Sequence, residues 1–372
     1  MKDGAAKSWI EVDGHALTQN IAHVDRYVGK GTALMLVVKA NAYGHGLKEV
    51  AQILVFHKDA HMLGVDSLDE ALALRAYGSK SPIMILGYIP SSRFYEAIRA
   101  GFHISLYDTD TVHRAVSFTK KHPRQQTYFH LKVETGTNRL GIQLHELERI
   151  KTMPPLYGLY THFAEAENMK SDFSHTQRIM LERIYAFLKE RGVPVRVVHM
   201  GATAALMHLP ESRSSVARLG IGLYREWPSK EIERAYRRRL SIQPVLSWKT
   251  KLAQVKRIEK GESVGYDRTY RAKRTTEVGV LPVGYYDGYP RALSGKGHVL
   301  VRGKKCPIIG RICMNMMMAD VTGVGAKSHD EVVLIGSQKK AHISVEDIAQ
   351  EAGTINYEVI SRISPLLPRI IT

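Results

Sequence analysis

The sequence predicts an α/β protein: an N-terminal (β/α)8, TIM-like barrel over residues 1–238, followed by a mostly β C-terminal domain over residues 239–372. Three observations lead there. Short apolar runs alternate eight times with helix-length amphipathic segments, the pattern of parallel βα units. Beyond Pro228 this alternation gives way to short strand-like runs punctuated by Gly and Pro. The C-terminal ends of the eight runs carry polar residues that a core would reject, as expected of strands opening on the active face of a barrel.

The eight runs can be followed in order. ALMLVVK (33–39) precedes LKEVAQILVFHK, HMLGVDS (61–67) precedes LDEALALRAYG, and PIMILGY (82–88) precedes SSRFYEAIRAG. HISLYD (103–108) precedes TDTVHRAVSFTKK, TYFHLKVE (127–134) precedes ELERIKTM, and LYGLYTHF (156–163) precedes the long SHTQRIMLERIYAFLKERG. VRVVHMG (195–201) precedes ATAALMHL, and SSVARLGIGLY (214–224) closes the series. Their ends place Lys39, Asp66, Tyr88, Tyr107, Lys132, His162, Met200 with Thr203 just after, and Arg218 on one face. KEIERAYRRRL reads as a connecting helix, and SVEDIAQEAG as a terminal helix within the β domain. A chain of 372 residues exceeds what one core normally organises, so two domains are expected.

Bulk composition narrows the function classes. With 44% hydrophobic and 24% charged residues the chain reads as globular. No apolar run approaches the ~20 residues of a membrane span, and the N-terminus has no signal-peptide core. Cys306 and Cys313 are too few for a disulfide framework or a thiolate zinc site, which fits a reducing, cytoplasmic location. The net charge of +17 is spread along the chain and no stacking aromatics accompany its densest cluster, ERAYRRRL, so no nucleic-acid partner is expected. No phosphate-loop motif and no HExxH is present, and the 17 histidines do not fall at metal-ligand spacings, so no metal is expected.

One stretch stands out. In MLVVKANAYGHG (35–46) an apolar strand ends on Lys39, just before a glycine-rich turn. Such a lysine is either a snorkelling or salt-bridged group, or a desolvated amine fit for Schiff-base formation or proton transfer. The neighbouring residues decide between them. VVKANAYGHG (37–46) resembles the pyridoxal-phosphate lysine motif of the alanine racemase family. The resemblance continues in order through KVETGTNRLG (132–141), THFAEAE (161–167), RLGIGLY (218–224), SVGYDRTY (263–270), VGYYDGYPRALS (283–294) and GRICMNMMMADV (310–321). It spans both domains and is shared with the catalytic unit of vancomycin-resistance serine racemases.

The resemblance implies pyridoxal 5'-phosphate as cofactor, a homodimer with shared active sites, and interconversion of L- and D-alanine, supplying D-alanine for peptidoglycan. It implies that Lys39 carries the cofactor and is one of two catalytic bases, and that Tyr266 of the partner subunit is the other. Tyr43, Thr203 and the amides of Gly220 and Ile221 are implied phosphate ligands, an arrangement that amide-lined anion sites make reasonable. Arg218, with His162 in support, is the implied partner of the pyridine nitrogen. Arg139 would orient Tyr266 and face the substrate carboxylate. Lys132, carbamylated in many members, would buttress Arg139. The Met314 backbone N–H would meet the carboxylate, with Tyr285 and Asn315 in support.

Racemisation needs two acid/base groups on opposite faces of the reacting carbon. A free phenol titrates near ~10, so Tyr266 needs a group that favours the phenolate, and a nearby arginine does so. Four positions depart from the family pattern. Asn138 replaces the usual Gly before Arg139, Asn315 replaces an Asp, and Arg225 replaces the Gly of the usual LYG. Pro365 stands where a Tyr usually contacts the phosphate, and proline offers no donor. These changes touch the mouth and the phosphate rather than Lys39 or Tyr266, and they leave serine or a broader substrate range as the alternative to alanine. Among other enzymes on such scaffolds, an amino-acid decarboxylase or D-amino-acid aldolase is disfavoured by SVGYDRTY and GRICMN. A non-catalytic cofactor-binding barrel is disfavoured by the β domain.

Overall fold

The computed structural model describes residues 6–55 and 62–372. The first residue of the 61–67 run and the end of the helix expected after 47 lie outside the described residues. The chain forms two compact units. One holds Thr18–Ala40 and Ala51–Ile242; the other holds the residues up to Leu17, Asn41–Val50 and Gln243–Thr372. The sequence boundary at 238/239 thus lies close to the long crossing at 242/243, while two earlier segments group with the second unit.

The first unit is an eight-stranded parallel barrel. Its strands are Ala33–Val37, Met62–Val65, Ile83–Ile85, His103–Leu106, Tyr128–Lys132, Leu156–Tyr160, Val195–His199 and Val216–Leu219. From the first to the seventh, each strand pairs with the next, and the first also pairs with the eighth. No ladder joins the seventh and eighth. There the ring is drawn together by Arg218 N–H donating to Gly201 O at 3.1 Å and by Val198 N–H donating to Ser215 Oγ at 3.3 Å. The strands are apolar on both faces because helices cover them outside and side chains fill them inside. Met35, Met84, Tyr160 and Val216 are buried against one another, with Met62, Leu86 and Val197 packed around them.

The helices begin where the sequence provides caps. Ser67 Oγ accepts the Glu70 amide at 3.2 Å ahead of Leu68–Ala76. Asp108 and Thr111 form a reciprocal capping box ahead of Thr109–Lys121. The longest helix, Phe173–Glu190, buries Leu181, Ile184 and Leu188 along one stripe, as its spacing requires. The expected connecting helix forms over Lys230–Tyr236, capped by Ser229.

The second unit is built on a ten-stranded sheet. The strand Ser8–Val12 belongs to it, antiparallel to Leu246–Lys251 and parallel to Arg369–Ile371. That pairing is why the N-terminal segment groups here. Trp248 is buried in this sheet and its indole N–H donates to Ser8 Oγ at 2.8 Å. A separate two-stranded ribbon, Ser263–Val264 with Tyr270–Arg271, carries the turn that presents Tyr266. The expected terminal helix forms over Val345–Ala352 and is followed by a second over Asn356–Ser361.

Within this unit Gly44 meets the last helix at close quarters. Its φ is +79°, and a Cβ there would lie 1.9 Å from Ile360 O. Arg369 fixes the same turn, donating to Gly44 O at 2.9 Å, to Ser364 O at 2.7 Å and to Leu367 O at 2.6 Å. Gly44→Ala is therefore expected to destabilise the protein by about 2 kcal/mol or more, from backbone strain and the collision with Ile360 together. A urea or thermal unfolding curve unchanged from wild type would contradict this close approach.

Candidate active site

In the barrel unit, the predicted polar residues lie at the C-terminal ends of the strands. Val38 N–H donates to Gly64 O at 2.8 Å and ends the first strand. Lys39 then opens a short turn, Lys39–Tyr43, in which Ala40, Asn41, Ala42 and Tyr43 all have φ between +52° and +54°. Four consecutive non-glycine residues in the left-handed region cost about 1–2 kcal/mol each, so the surroundings must hold them there. Glu70 does so from the barrel side, accepting the amides of Ala40 at 2.7 Å and of Asp66 at 2.8 Å. On the other side, Asn41 Oδ1 accepts the Leu47 amide at 2.8 Å and Asn41 O accepts the Gly46 amide at 2.9 Å. Lys39 Nζ lies 3.8 Å from Asp66 Oδ1. The salt-bridged reading of this lysine is thus present, at a partly exposed amine.

Arg218 is the centre of this cluster. It is 4 % exposed and its guanidinium gathers the ends of the sixth and seventh strands. Nη2 donates to Thr161 O at 2.7 Å and Met200 O at 2.8 Å, and lies 3.4 Å from His162 Nδ1. Nη1 donates to His199 O at 3.2 Å and approaches His199 Nδ1 at 2.7 Å. Its Nε–H has no acceptor among the described residues. Burial lowers its pKa to about 10, so it remains a cation at neutral pH. The Tyr160 ring lies beneath it at 5.5 Å. Burial and this cation push His162 down to about 3, so that imidazole is neutral.

Lys132, Glu134, Arg139 and His162 line one small cleft. Burial, together with Arg139, Arg218 and Lys39, drives the Lys132 ammonium down to about 8. Arg139 is exposed at the end of a tight turn that Glu134 organises by accepting the amides of Gly136 at 2.5 Å and Arg139 at 3.2 Å. Despite partial burial, those amide bonds hold the Glu134 carboxyl below the usual range. Thr203 is buried, and its Oγ1 accepts the amides of Gly220 at 3.1 Å and Gly222 at 3.4 Å. The Gly220 amide expected to face a phosphate is therefore already engaged, whereas the Ile221 amide has no acceptor among the described residues. A Cβ at Gly222 would come within 2.5 Å of Thr203 Cγ2, so the loop fits only around glycine.

Other predicted residues lie in the β unit. Tyr43 is partly buried beside Tyr357, ring centroids 6.4 Å apart, and loss of solvent raises the pKa of its hydroxyl. Tyr266, Met314 and Asn315 line one pocket of about 670 Å³ with Cys313 and Met316. Tyr266 is 70 % exposed and Met314 54 %. The turn after Tyr266 is set by Asp267 and Arg268, both at positive φ, with Arg311 Nε 2.7 Å from Asp267 Oδ2. Tyr285 and Tyr286 donate their amides to Cys313 O at 3.1 Å and Met314 O at 3.0 Å. Those bonds hold the Met314 segment with its own amide lacking an acceptor among the described residues. Tyr285 itself lines a neighbouring pocket with Glu358 and Arg362. Pro365 is exposed in the turn before Leu367.

Sequence reasoning missed several supports. Glu70 lay unremarked in the helix segment LDEALALRAYG, yet its carboxylate spans two strand ends. Gln177, from the longest helix, donates to Thr135 Oγ1 at 3.1 Å and His162 O at 3.2 Å and accepts the Ala164 amide at 2.9 Å. His199 ended a predicted strand without a role.

A strand-end lysine and a buried arginine on a parallel barrel, followed in the same chain by a β unit bearing an exposed tyrosine, define the class of two-domain barrel proteins to which the chain is similar. Residues 12–228 match the family described as alanine racemase, N-terminal domain, and residues 245–371 the family described as alanine racemase, C-terminal domain. The chain is 35% identical over 370 residues to an alanine racemase of Desulforamulus reducens, covering 97% of this chain and 98% of that protein. It is 37% identical over 371 residues to alanine racemase 2 of Bacillus subtilis, covering 97% and 93% respectively. Among solved structures, the alanine racemase of D-cycloserine-producing Streptomyces lavendulae superposes with a TM-score of 0.92 at 30% identity, covering 100% of this chain and 98% of that one. The chain belongs to the alanine racemase family and is an enzyme of that family of pyridoxal-phosphate-dependent racemases.

The buried histidines give the site a pH signature. In the unfolded chain an imidazole titrates near ~6.5. In the folded barrel, burial first and nearby cations second hold His103 down to about 4 and His162 to about 3, and hold His130 and His199 well below the ordinary value. Between these values the unfolded state binds more protons, so stability is full above about 6.5 and falls as the pH drops toward 4. Urea midpoints measured from pH 7.5 to 4.5 should decline across this window, and a flat profile would contradict neutral buried rings.

Proposed function

We propose that this enzyme interconverts L- and D-alanine by two-base proton transfer, with Lys39 serving one face of the substrate and Tyr266 of the partner subunit the other. The observation that carries the reading is the pairing of a strand-end lysine with a buried, carboxylate-free arginine whose Nε–H is left for a ligand. Those donors suit pyridoxal 5'-phosphate. Lys39 would hold its carbonyl carbon, Arg218 would donate to its pyridine nitrogen, and Thr203, the Ile221 amide and Tyr43 would serve its phosphate. Bound there, the cofactor supplies an electron sink that acidifies the substrate α-carbon.

The chain's own residues do the rest. Lys39 takes or returns a proton at its Nζ on one face of the substrate. Tyr266 does the same at its phenolic oxygen on the opposite face. Arg139 favours the phenolate and faces the substrate carboxylate, which the open Met314 amide also meets. Arg218 keeps its proton at neutral pH, so it would offer the cofactor ring a hydrogen bond rather than a proton, which would moderate the sink. The exposure of Tyr266 on its own chain supports a site completed across a homodimer. Among the described residues no helix is long and apolar enough to cross a membrane.

Asn315 lines the Tyr266 pocket, and Pro365 offers no donor in its exposed turn. Both favour a second reading in which serine is accepted as well. Chiral analysis of L-alanine and L-serine incubated with the purified enzyme and cofactor decides between them. Alanine is expected to show the higher kcat/KM, and a reversed order would make serine the substrate. Lys39→Ala should abolish conversion in both directions. Tyr266→Phe should lower kcat by about 10²–10⁴, and normal racemisation by both variants would overturn the two-base assignment.

A further inference from the structure

Three histidines of the barrel have no place in that chemistry. His103, His130 and His199 come from the fourth, fifth and seventh strands and are all buried. They are joined in series. His103 Nδ1 lies 2.9 Å from His130 Nε2, His130 Nδ1 lies 3.0 Å from His199 Nε2, and His199 Nδ1 lies 2.7 Å from Arg218 Nη1. The fifth and seventh strands are not neighbours, because the sixth runs between them. His130 reaches across it where the sixth strand places Gly158 opposite His130 in the ladder. A Cβ on Gly158 would fall 2.2 Å from His130 Nδ1. Flanking rings fix the series: His199 stacks on Tyr160 at 4.5 Å and 7°, and His103 on Tyr128 at 4.4 Å and 11°.

The series has one direction. A guanidinium only donates, so His199 Nδ1 must be an unprotonated acceptor. A neutral His199 then carries its proton on Nε2 and donates to His130 Nδ1. By the same step His130 donates from Nε2 to His103 Nδ1. One arginine thereby sets three tautomers, and each ring turns its lone pair toward the cation. Aligned bonds of this kind strengthen one another in a low-dielectric interior. Arg218 needs that support. It is a buried cation with no ion-paired carboxylate among the described residues, and its remaining bonds go to backbone carbonyls and His162.

We propose that His103, His130 and His199 form a one-way hydrogen-bond series that positions Arg218 and sustains its charge without a counter-carboxylate, leaving Nε–H free for the cofactor ring. They are positioning residues. The part of the proposal that concerns the cofactor rests on the function proposed above; the tautomers do not.

Two measurements test it. In the cofactor-free protein labelled with ¹⁵N-histidine, long-range ¹⁵N–¹H correlation at neutral pH should show all three rings protonated at Nε2 alone. A ring protonated at Nδ1, or at both nitrogens, would overturn the series whether or not cofactor binds. In the loaded enzyme, His130→Leu and Gly158→Ala should each shift the absorbance of the bound cofactor and lower kcat about tenfold. His130→Gln, which keeps a donor and an acceptor, should restore much of both. Retention of wild-type absorbance and kcat by a folded His130→Leu protein would overturn the positioning role, even with the tautomers as expected.

Discussion

A single buried guanidinium organises the barrel's catalytic end. Arg218 takes carbonyls from the ends of the sixth and seventh strands, approaches two imidazoles and rests over a tyrosine ring. Its own amide links the seventh and eighth strands where the ladder is missing. A carboxylate would be the cheaper companion for a buried cation. It would also compete with a ligand for the donors and draw the charge away from the open Nε–H. Carbonyls and neutral rings satisfy the ion while leaving its field directed at the mouth.

The second constraint is the turn after Lys39. Left-handed backbone over four ordinary residues is unfavourable in isolation, and it persists because the structure fixes it from several sides. Glu70 binds one amide at its start, Asn41 folds the following loop onto itself, and Gly44 makes the close approach that Arg369 secures. A turn held this firmly fixes where Lys39 and Tyr43 leave the backbone at its two ends. The strain is local, and the restraints are distributed along the chain from residue 41 to residue 369.

Charge follows the same logic around Lys132. Burial first, and then Arg139, Arg218 and Lys39, lower the proton affinity of the Lys132 ammonium, so the cluster is electrically crowded. Glu134 contributes by shaping the loop that presents Arg139 rather than by pairing with its guanidinium. In the β unit the corresponding work falls to the backbone. Tyr285 and Tyr286 donate their amides to Cys313 O and Met314 O, which fixes the segment that lines a pocket with Tyr266.

Much of this was legible in the sequence. Parallel strands buried on both faces are continuous apolar runs, so each barrel strand could be read within a few residues of its end, and with it the residues delivered to the mouth: Lys39, Lys132, His162, Thr203 and Arg218. Ordered motifs identified the family because reactive side chains sit next to turns whose residue types are tightly restricted. What only the tertiary structure decided is what depends on distance through space. Nothing local marks Ser8–Val12 as a strand of the second unit, since its partners lie more than 200 residues away. Nor does local pattern reveal that Glu70 ties two strand ends, that Gly220 is already engaged by Thr203, or that Gly158 clears a path for His130. The sequence determined which groups reach the site, because strand periodicity is a short-range property. Their bonds, tautomers and charge states were decided by burial and by neighbours that the chain brings together only when folded.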